Sequence, residues 1–297
     1  MKNLFLALTA AVLFCPAVAL AQDDKKPAAK AADSTVEVIK DVAYYDGKDA
    51  DPVRHKLDLY LPKGKKDFPV LMFVHGGKWN SGKKDLYAPL GEVFARNGVG
   101  AVIVNYRLSP AVQHPKHEQD VAKAFAWTVH NIAKYGGRPD QIFVCGHSAG
   151  GHLVALLGTA ENYLKAEKLS LENIKGVIAL SGVYTISSAG RLNQYFGDDP
   201  KVHEEASPLT HVKGGLPPFL ICYADKDFAG LDRLAEAMGK ALKGAKDNVT
   251  VIKIDNRDHY TIIRSMVNET DPVTQAVLKF IAKVTGSNGK EASPGGK

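Results

Sequence analysis

Five short runs of this chain, residues 69–74, 100–104, 141–145, 176–180 and 219–222, are apolar apart from Gln141 at the start of the third, and each is followed by a stretch with helical spacing. A strand that shows one face to water alternates apolar and polar residues, whereas a strand covered on both faces does not. Uninterrupted runs alternating with helices therefore specify a mostly parallel sheet with helices on both sides, a doubly wound α/β fold. Residues 231–242 show the helical half of the pattern, with Leu231, Leu234, Met238 and Leu242 recurring at spacings of three or four. Ahead of the first run, residues 36–45 and 56–61 read as two more strands, an antiparallel pair at a sheet edge, the second alternating through Leu57, Leu59 and Leu61. Residues 249–254 read as a last strand. Ligands of such sheets bind beyond the carboxyl ends of the strands, so the polar residues after each run are the ones to inspect.

The ends of the chain differ from its middle. Met1-Lys2-Asn3 makes a weakly positive start, residues 4–20 are apolar apart from Thr9, and Ala19-Leu20-Ala21 offers the small-x-small pattern of a signal-peptidase site. The reading is a cleavable export signal over residues 1–21, cut after Ala21, which makes the protein secreted or periplasmic. Cys15 follows Leu13 and Phe14, where a lipoprotein signal needs small residues. Residues 22–34, rich in Lys, Ala and Asp, read as a flexible leader, and 286–297 as a disordered tail of linker composition. That leaves one α/β domain over residues 35–285. Its 45% hydrophobic and 24% charged composition permits a sizeable core. No later apolar run is long enough to span a bilayer, so no stable membrane insertion is expected. The net charge of +6 comes from lysines in the ends and in scattered loops, with no Lys/Arg block interleaved with aromatics, so no nucleic-acid partner is expected. Cys145 and Cys222, the cysteines left after cleavage, each sit in an apolar run and read as small buried hydrophobes.

Chemistry enters where the run 141–145 ends, in Gly146-His147-Ser148-Ala149-Gly150-Gly151. G-x-S-x-G between a strand and a helix is a nucleophile elbow: the turn is too sharp for side chains two residues either side of the serine, and it lifts Oγ to the head of a helix. There the free N–H groups favour negative charge. The bare pattern is a modest signal, and its strand–turn–helix setting strengthens it. After the run 69–74 comes His75-Gly76-Gly77-Lys78-Trp79. Two adjacent glycines let backbone N–H groups converge on one point, and Gly76, Gly77 and Ala149 read as an oxyanion hole. A tight turn closing a strand is the plainer reading of the glycines alone.

An activated serine needs a base, and ten histidines compete. His114, His117 and His130 fall in or beside one helical stretch, His203 and His211 in a polar loop, and His55 near the sheet edge. His147 and His152 are too near Ser148 in sequence to reach across to Oγ. His259 follows the last strand and precedes an apolar helical stretch, so it is the candidate base. A candidate acid lies in Tyr223-Ala224-Asp225-Lys226-Asp227-Phe228, where position alone leaves Asp225 and Asp227 open. Asp258 is adjacent to His259 and cannot easily turn onto its Nδ1. Either loop acid gives the chain order Ser, Asp, His. His114-x-x-His117 has no third ligand at a recognisable spacing and there is no H-E-x-x-H, so neither metal nor cofactor is expected.

With these residues assembled, the chain resembles the α/β-hydrolases that carry an His-Gly-Gly oxyanion motif, above all the kynurenine-formamidase-like and feruloyl-esterase-like carboxylesterases, relatives of the hormone-sensitive-lipase-like esterases. The resemblance spans about residues 41–283 and rests on His75 to Trp79, Asn105-Tyr106-Arg107-Leu108-Ser109-Pro110, Gly146 to Gly151, Ser181-Gly182-Val183-Tyr184 and the settings of Asp227 and His259. It implies an α/β-hydrolase fold and a serine carboxylesterase acting through Ser148, His259 and an acid on a small, aryl or carbohydrate ester. The family loop runs small-x-x-Asp, which aligns Ala224 with the small residue and Asp227 with the acid. Ala224 departs from the usual Gly there, and residues 184–217 are short enough to make only a small cap. Trp79 and Tyr184 are expected to line the substrate pocket, and Arg107 and Asp120 to pair behind the site. The implied strand order puts one strand between Cys145 and Cys222, beyond disulfide reach. A kynurenine-formamidase-like amidase is the alternative, and an inactive hydrolase-fold binding protein a remoter one.

Overall fold

The computed structural model describes residues 35–187 and 192–286; the expected export signal, the leader and all of the expected tail but Gly286 lie outside them. The described residues form strands β1 (Val36–Ala43), β2 (Lys56–Pro62), β3 (Phe68–Val74), β4 (Gly100–Val104), β5 (Gly137–His147), β6 (Gly176–Leu180), β7 (Phe219–Lys226) and β8 (Val249–Asp258). They make one sheet in the order β1-β2-β4-β3-β5-β6-β7-β8. β2 runs antiparallel to both β1 and β4, and every later pairing is parallel. The five strands expected from the apolar runs and the three others expected at residues 36–45, 56–61 and 249–254 are all present, with the antiparallel pair at one edge.

Helices cover both faces. Leu57, Met72, Val104 and Val144 point into one core, closed by α2 (Lys116–Asn131), α3 (Ala149–Leu157) and α4 (Leu231–Gly244). Leu71, Phe73, Ile103 and Phe143 point into the other, closed by α1 (Ala88–Arg96) and by α6 (Pro272–Thr285) at the end of the described chain. The remaining named helix, α5, is the short turn Thr261–Arg264. The alternation of β2 leaves no wet face, because Tyr60 packs with Leu90 and Phe94 of α1. Asp58, fully buried, is neutralised by Lys84 Nζ at 2.7 Å and accepts the Asp41 N–H at 2.8 Å. Cys145 on β5 and Cys222 on β7 are buried and free, with β6 between them.

This topology decides where a ligand can sit. From β3 the chain passes to β4 on one side and later returns to β5 on the other. Connections therefore diverge at the carboxyl ends of β3 and β5, and a crevice opens there. Since β5, β6, β7 and β8 run parallel to β3, the residues that follow all five strands share that edge of the sheet.

Candidate active site

Ser148 occupies the turn between β5 and α3 with φ 56° and ψ −117°. Left-handed φ costs a non-glycine residue of order 1–3 kcal/mol and persists only where the surroundings enforce it. Here they do: the Ser148 N–H donates to Leu180 O of β6 and its carbonyl accepts the His152 N–H, both at 2.9 Å. A Cβ on Gly150 would stand 2.1 Å from Val74 O, and one on Gly146 2.2 Å from Gly150 O, so α3 can press against β3 and β5 only with both glycines. The serine hydroxyl meets His259 Nε2 at 2.9 Å, and His259 Nδ1 meets Asp227 Oδ1 at 2.6 Å.

Asp227 follows β7 and its side chain is 2% exposed. Its Oδ1 also accepts the Phe228 N–H at 2.9 Å, and its Oδ2 accepts the Ser181 hydroxyl at 2.5 Å and the Ala224 N–H at 3.2 Å. Burial pushes the carboxyl pKa up, but the hydrogen bonds from His259 and Ser181 outweigh it and the net shift is downward. Asp225 is exposed and accepts the Arg257 N–H at 2.9 Å, away from His259. Asp258 turns back onto the N–H groups of Tyr260 and Thr261. Of the three candidate acids, only Asp227 reaches the imidazole.

Three neighbours fix that imidazole. His147 is buried, and burial pushes its pKa down to about 3, so it is neutral and its Nε2–H donates to His259 O at 2.8 Å. Phe228 stacks on the His259 ring at 4.1 Å between centroids, and Tyr260 meets it edge-on at 5.5 Å. The roles of His147 and Phe228 are not apparent from the sequence alone. For Ser181 a signal existed: it directly follows β6, between the strands that carry Ser148 and Asp227.

The glycine loop after β3 is braced from below. His75 is fully buried, held neutral by a pKa pushed down to about 4, and its Nδ1–H donates to Gly76 O at 2.8 Å. A planar trans peptide carries C=O and N–H on opposite sides, so the Gly77 N–H is directed away from His75. Gly77 itself has φ +123°, which favours glycine. Neither Gly77 N–H nor Ala149 N–H has a protein acceptor among the described residues. The Gly76 N–H lies beside the Tyr87 hydroxyl, where it counters the rise that burial imposes on that group's pKa. The segment after β4 supplies further support. Tyr106 OH donates to His75 O at 3.1 Å and Ser109 N–H to Trp79 O at 2.9 Å. Arg107 forks onto Asp120 at 2.8 and 2.7 Å, with His55 on the same carboxylate at 3.0 Å.

Above Ser148 lies a cleft of about 660 Å³, with Gly76, Gly77, His147 and His259 also in its lining. Neither Trp79 nor Tyr184 lines it. The indole is turned inward, donating to His152 Nδ1 at 3.3 Å and packing on Tyr195 and Phe196, while Tyr184 is fully buried in the core. The cleft takes its walls from residues 86–90 and 260–267 instead. Residues 184–217, the expected cap, hold the short helices Asn193–Phe196 and Pro200–Glu205, and their described part contributes nothing to the lining. A hydroxyl, an imidazole and a buried carboxylate in hydrogen-bonded series, facing an open cleft, can deprotonate the hydroxyl as it attacks an electrophile.

The fold is that of the α/β-hydrolases. Residues 57–230 match the BD-FAE family model, and the chain belongs to that family. It is 30% identical over 236 residues to the esterase LipQ of Mycobacterium tuberculosis, an alignment covering 73% of this chain and 56% of that one. It thus spans little more than half of that relative. It is 27% identical over 270 residues to the kynurenine formamidase of Danio rerio, covering 87% of each. Among solved structures, a truncated carbohydrate esterase from gut microbiota superposes with a TM-score of 0.73 at 20% identity, covering 86% of this chain and 99% of that one. No helix among the described residues is long and apolar enough to cross a membrane.

Proposed function

We propose that the chain is a serine carboxylesterase that hydrolyses a small or aryl ester through Ser148, His259 and Asp227. The observation that carries this reading is the series of 2.9 and 2.6 Å contacts from Ser148 Oγ through His259 to Asp227, opening on the cleft. His259 Nε2 takes the hydroxyl proton as Oγ attacks the ester carbonyl. The developing oxyanion is met by the N–H groups of Gly77 and Ala149, with Gly76 in the same loop, and each such donor contributes about 3–4 kcal/mol to the transition state. Asp227 holds the Nδ1–H tautomer and stabilises the imidazolium. The proton then passes to the leaving alcohol, and water activated by His259 releases the acid. Names of relatives as esterases support the class of reaction. The reading extends to export, on the strength of the apolar segment 4–20 and the Ala19-Leu20-Ala21 site.

The formamidase-like alternative draws on the relative that aligns over 87% of both chains. An activated amide needs the same nucleophile and oxyanion donors, so comparison of phenyl acetate with N-formylkynurenine separates the two. A fluorophosphonate probe tests the shared chemistry. One equivalent is expected on Ser148, with none on a folded Ser148→Ala variant whose kcat on phenyl acetate falls by several orders of magnitude. Near-normal turnover by that variant overturns the assignment.

A further inference from the structure

Six large apolar side chains stand exposed among the described residues, and four of them ring this one cleft: Leu86 at 63%, Phe228 at 46%, Tyr260 at 50% and Val267 at 48%. Apolar surface gathered at one place marks a binding wall. Two charged residues interrupt it. Lys78 directly follows Gly77 on the loop beside Ser148, and Arg264 ends α5, five residues after His259; both are exposed and both line the cleft. The lining holds no carboxylate.

These cations have little to occupy them. Neither forms an ion pair among the described residues. The Arg264 guanidinium lies over the Tyr260 ring, 5.4 Å from its centroid, which orients the planar fork without neutralising it. Asp258 feels Arg264, but its Oδ1 is taken by the Tyr260 and Thr261 N–H groups, and it does not line the cleft. Asp227 is shielded behind His259 with all its acceptors engaged. A purely neutral substrate would find contacts for its apolar body and none for two positive charges.

We propose that the substrate carries an anionic group, a carboxylate in the simplest case, on an apolar body of ring size, and that Lys78 and Arg264 hold that group while the apolar walls hold the body. This inference deepens the esterase reading and rests on it. The same cations draw the anion toward the oxyanion loop before contact, so selectivity shows mainly in kcat/KM and fades with salt.

The test uses matched pairs of esters: 4-acetoxybenzoate against its methyl ester, with the charge on the alcohol side, and monophenyl succinate against phenyl pentanoate, with the charge on the acyl side. The expected result is an anionic-to-neutral kcat/KM ratio of about ten or more in one pair, which also says which side the cations serve. That ratio should fall severalfold in Arg264→Gln and in Lys78→Gln, and toward unity in the wild-type protein as ionic strength rises. Ratios at or below one in both pairs, or a preference unmoved by both substitutions and by salt, overturn the inference while turnover of the neutral esters leaves the esterase reading standing. Absence of both fluorophosphonate labelling and ester turnover overturns that reading and this inference with it.

Discussion

Asp227 accepts four hydrogen bonds, of which one comes from His259 and the others from Ser181, Phe228 and Ala224. Such a carboxylate is kept ionised and aimed by its surroundings. Replacement by Asn puts an NH₂ where one set of donors already points and favours the wrong imidazole tautomer. We therefore expect Asp227→Asn to lose kcat on the order of 10⁴-fold. Asp225→Asn gives up only part of a surface contact with the Arg257 N–H and should stay within about threefold of wild type. Steady-state kinetics of the two folded variants on phenyl acetate checks this, and the reverse ranking would mean the acid sits two residues earlier. The Ala in place of the family's Gly at 224 costs nothing visible: Ala224 is a buried residue within β7 and has no positive φ.

At the scale of elements, the sequence made the strands legible because burial on both faces writes itself as uninterrupted apolar residues. Where strands run past the core the signal stops. β5 begins at Gly137 and β8 continues to Asp258, and these polar extensions have no hydrophobic trace. Ser148 and His259 were legible because a turn motif and a strand end fix them locally. The cleft walls were not, since residues 86–90 and 260–267 come together only through the sheet order. Trp79 and Tyr184 show the same limit in reverse: proximity to a motif says nothing about which way a side chain turns. Helix α2 carries another feature hidden from sequence. Its buried face includes Glu118, which is fully buried with both carboxyl oxygens unpartnered, and burial raises its pKa well above the ordinary 4.5. A raised carboxyl pKa gives stability that is complete below the unfolded pKa and is lost as pH rises toward the folded one. Glu118→Gln should therefore stabilise the protein by about 1–3 kcal/mol near pH 8 and by much less near pH 5. Urea unfolding at the two pH values measures the difference, and a variant less stable than wild type near pH 8 would show that the carboxylate has a partner.

For the whole molecule, the histidines matter more than that single acid. Burial pushes His75, His114 and His117 down to about 4 and His147 and His152 down to about 3, from an ordinary 6.5. All five are buried, spread over the glycine loop after β3, the approach to α2, α2 itself, the elbow and α3. Each is neutral in the folded protein and free to take a proton once unfolded. Between about pH 4 and 6.5 the unfolded chain thus binds up to five more protons from this set, and Glu118 returns one in the other direction. Stability rises with pH wherever the unfolded state binds more protons, so acidification through this window is destabilising. Each histidine contributes a limiting slope of about 1.4 kcal/mol per pH unit. The downward-shifted carboxylates, Asp227 and Asp120 among them, lose their contribution only below the ordinary carboxyl range and so add to the loss at the acid end. The urea midpoint should fall steeply as the pH is lowered from about 6.5 to 5. A midpoint independent of pH down to about 5 would mean that these histidines are solvated or charged in the folded state, and the neutral brace of His75 on Gly76 and of His147 on His259 would fall with it.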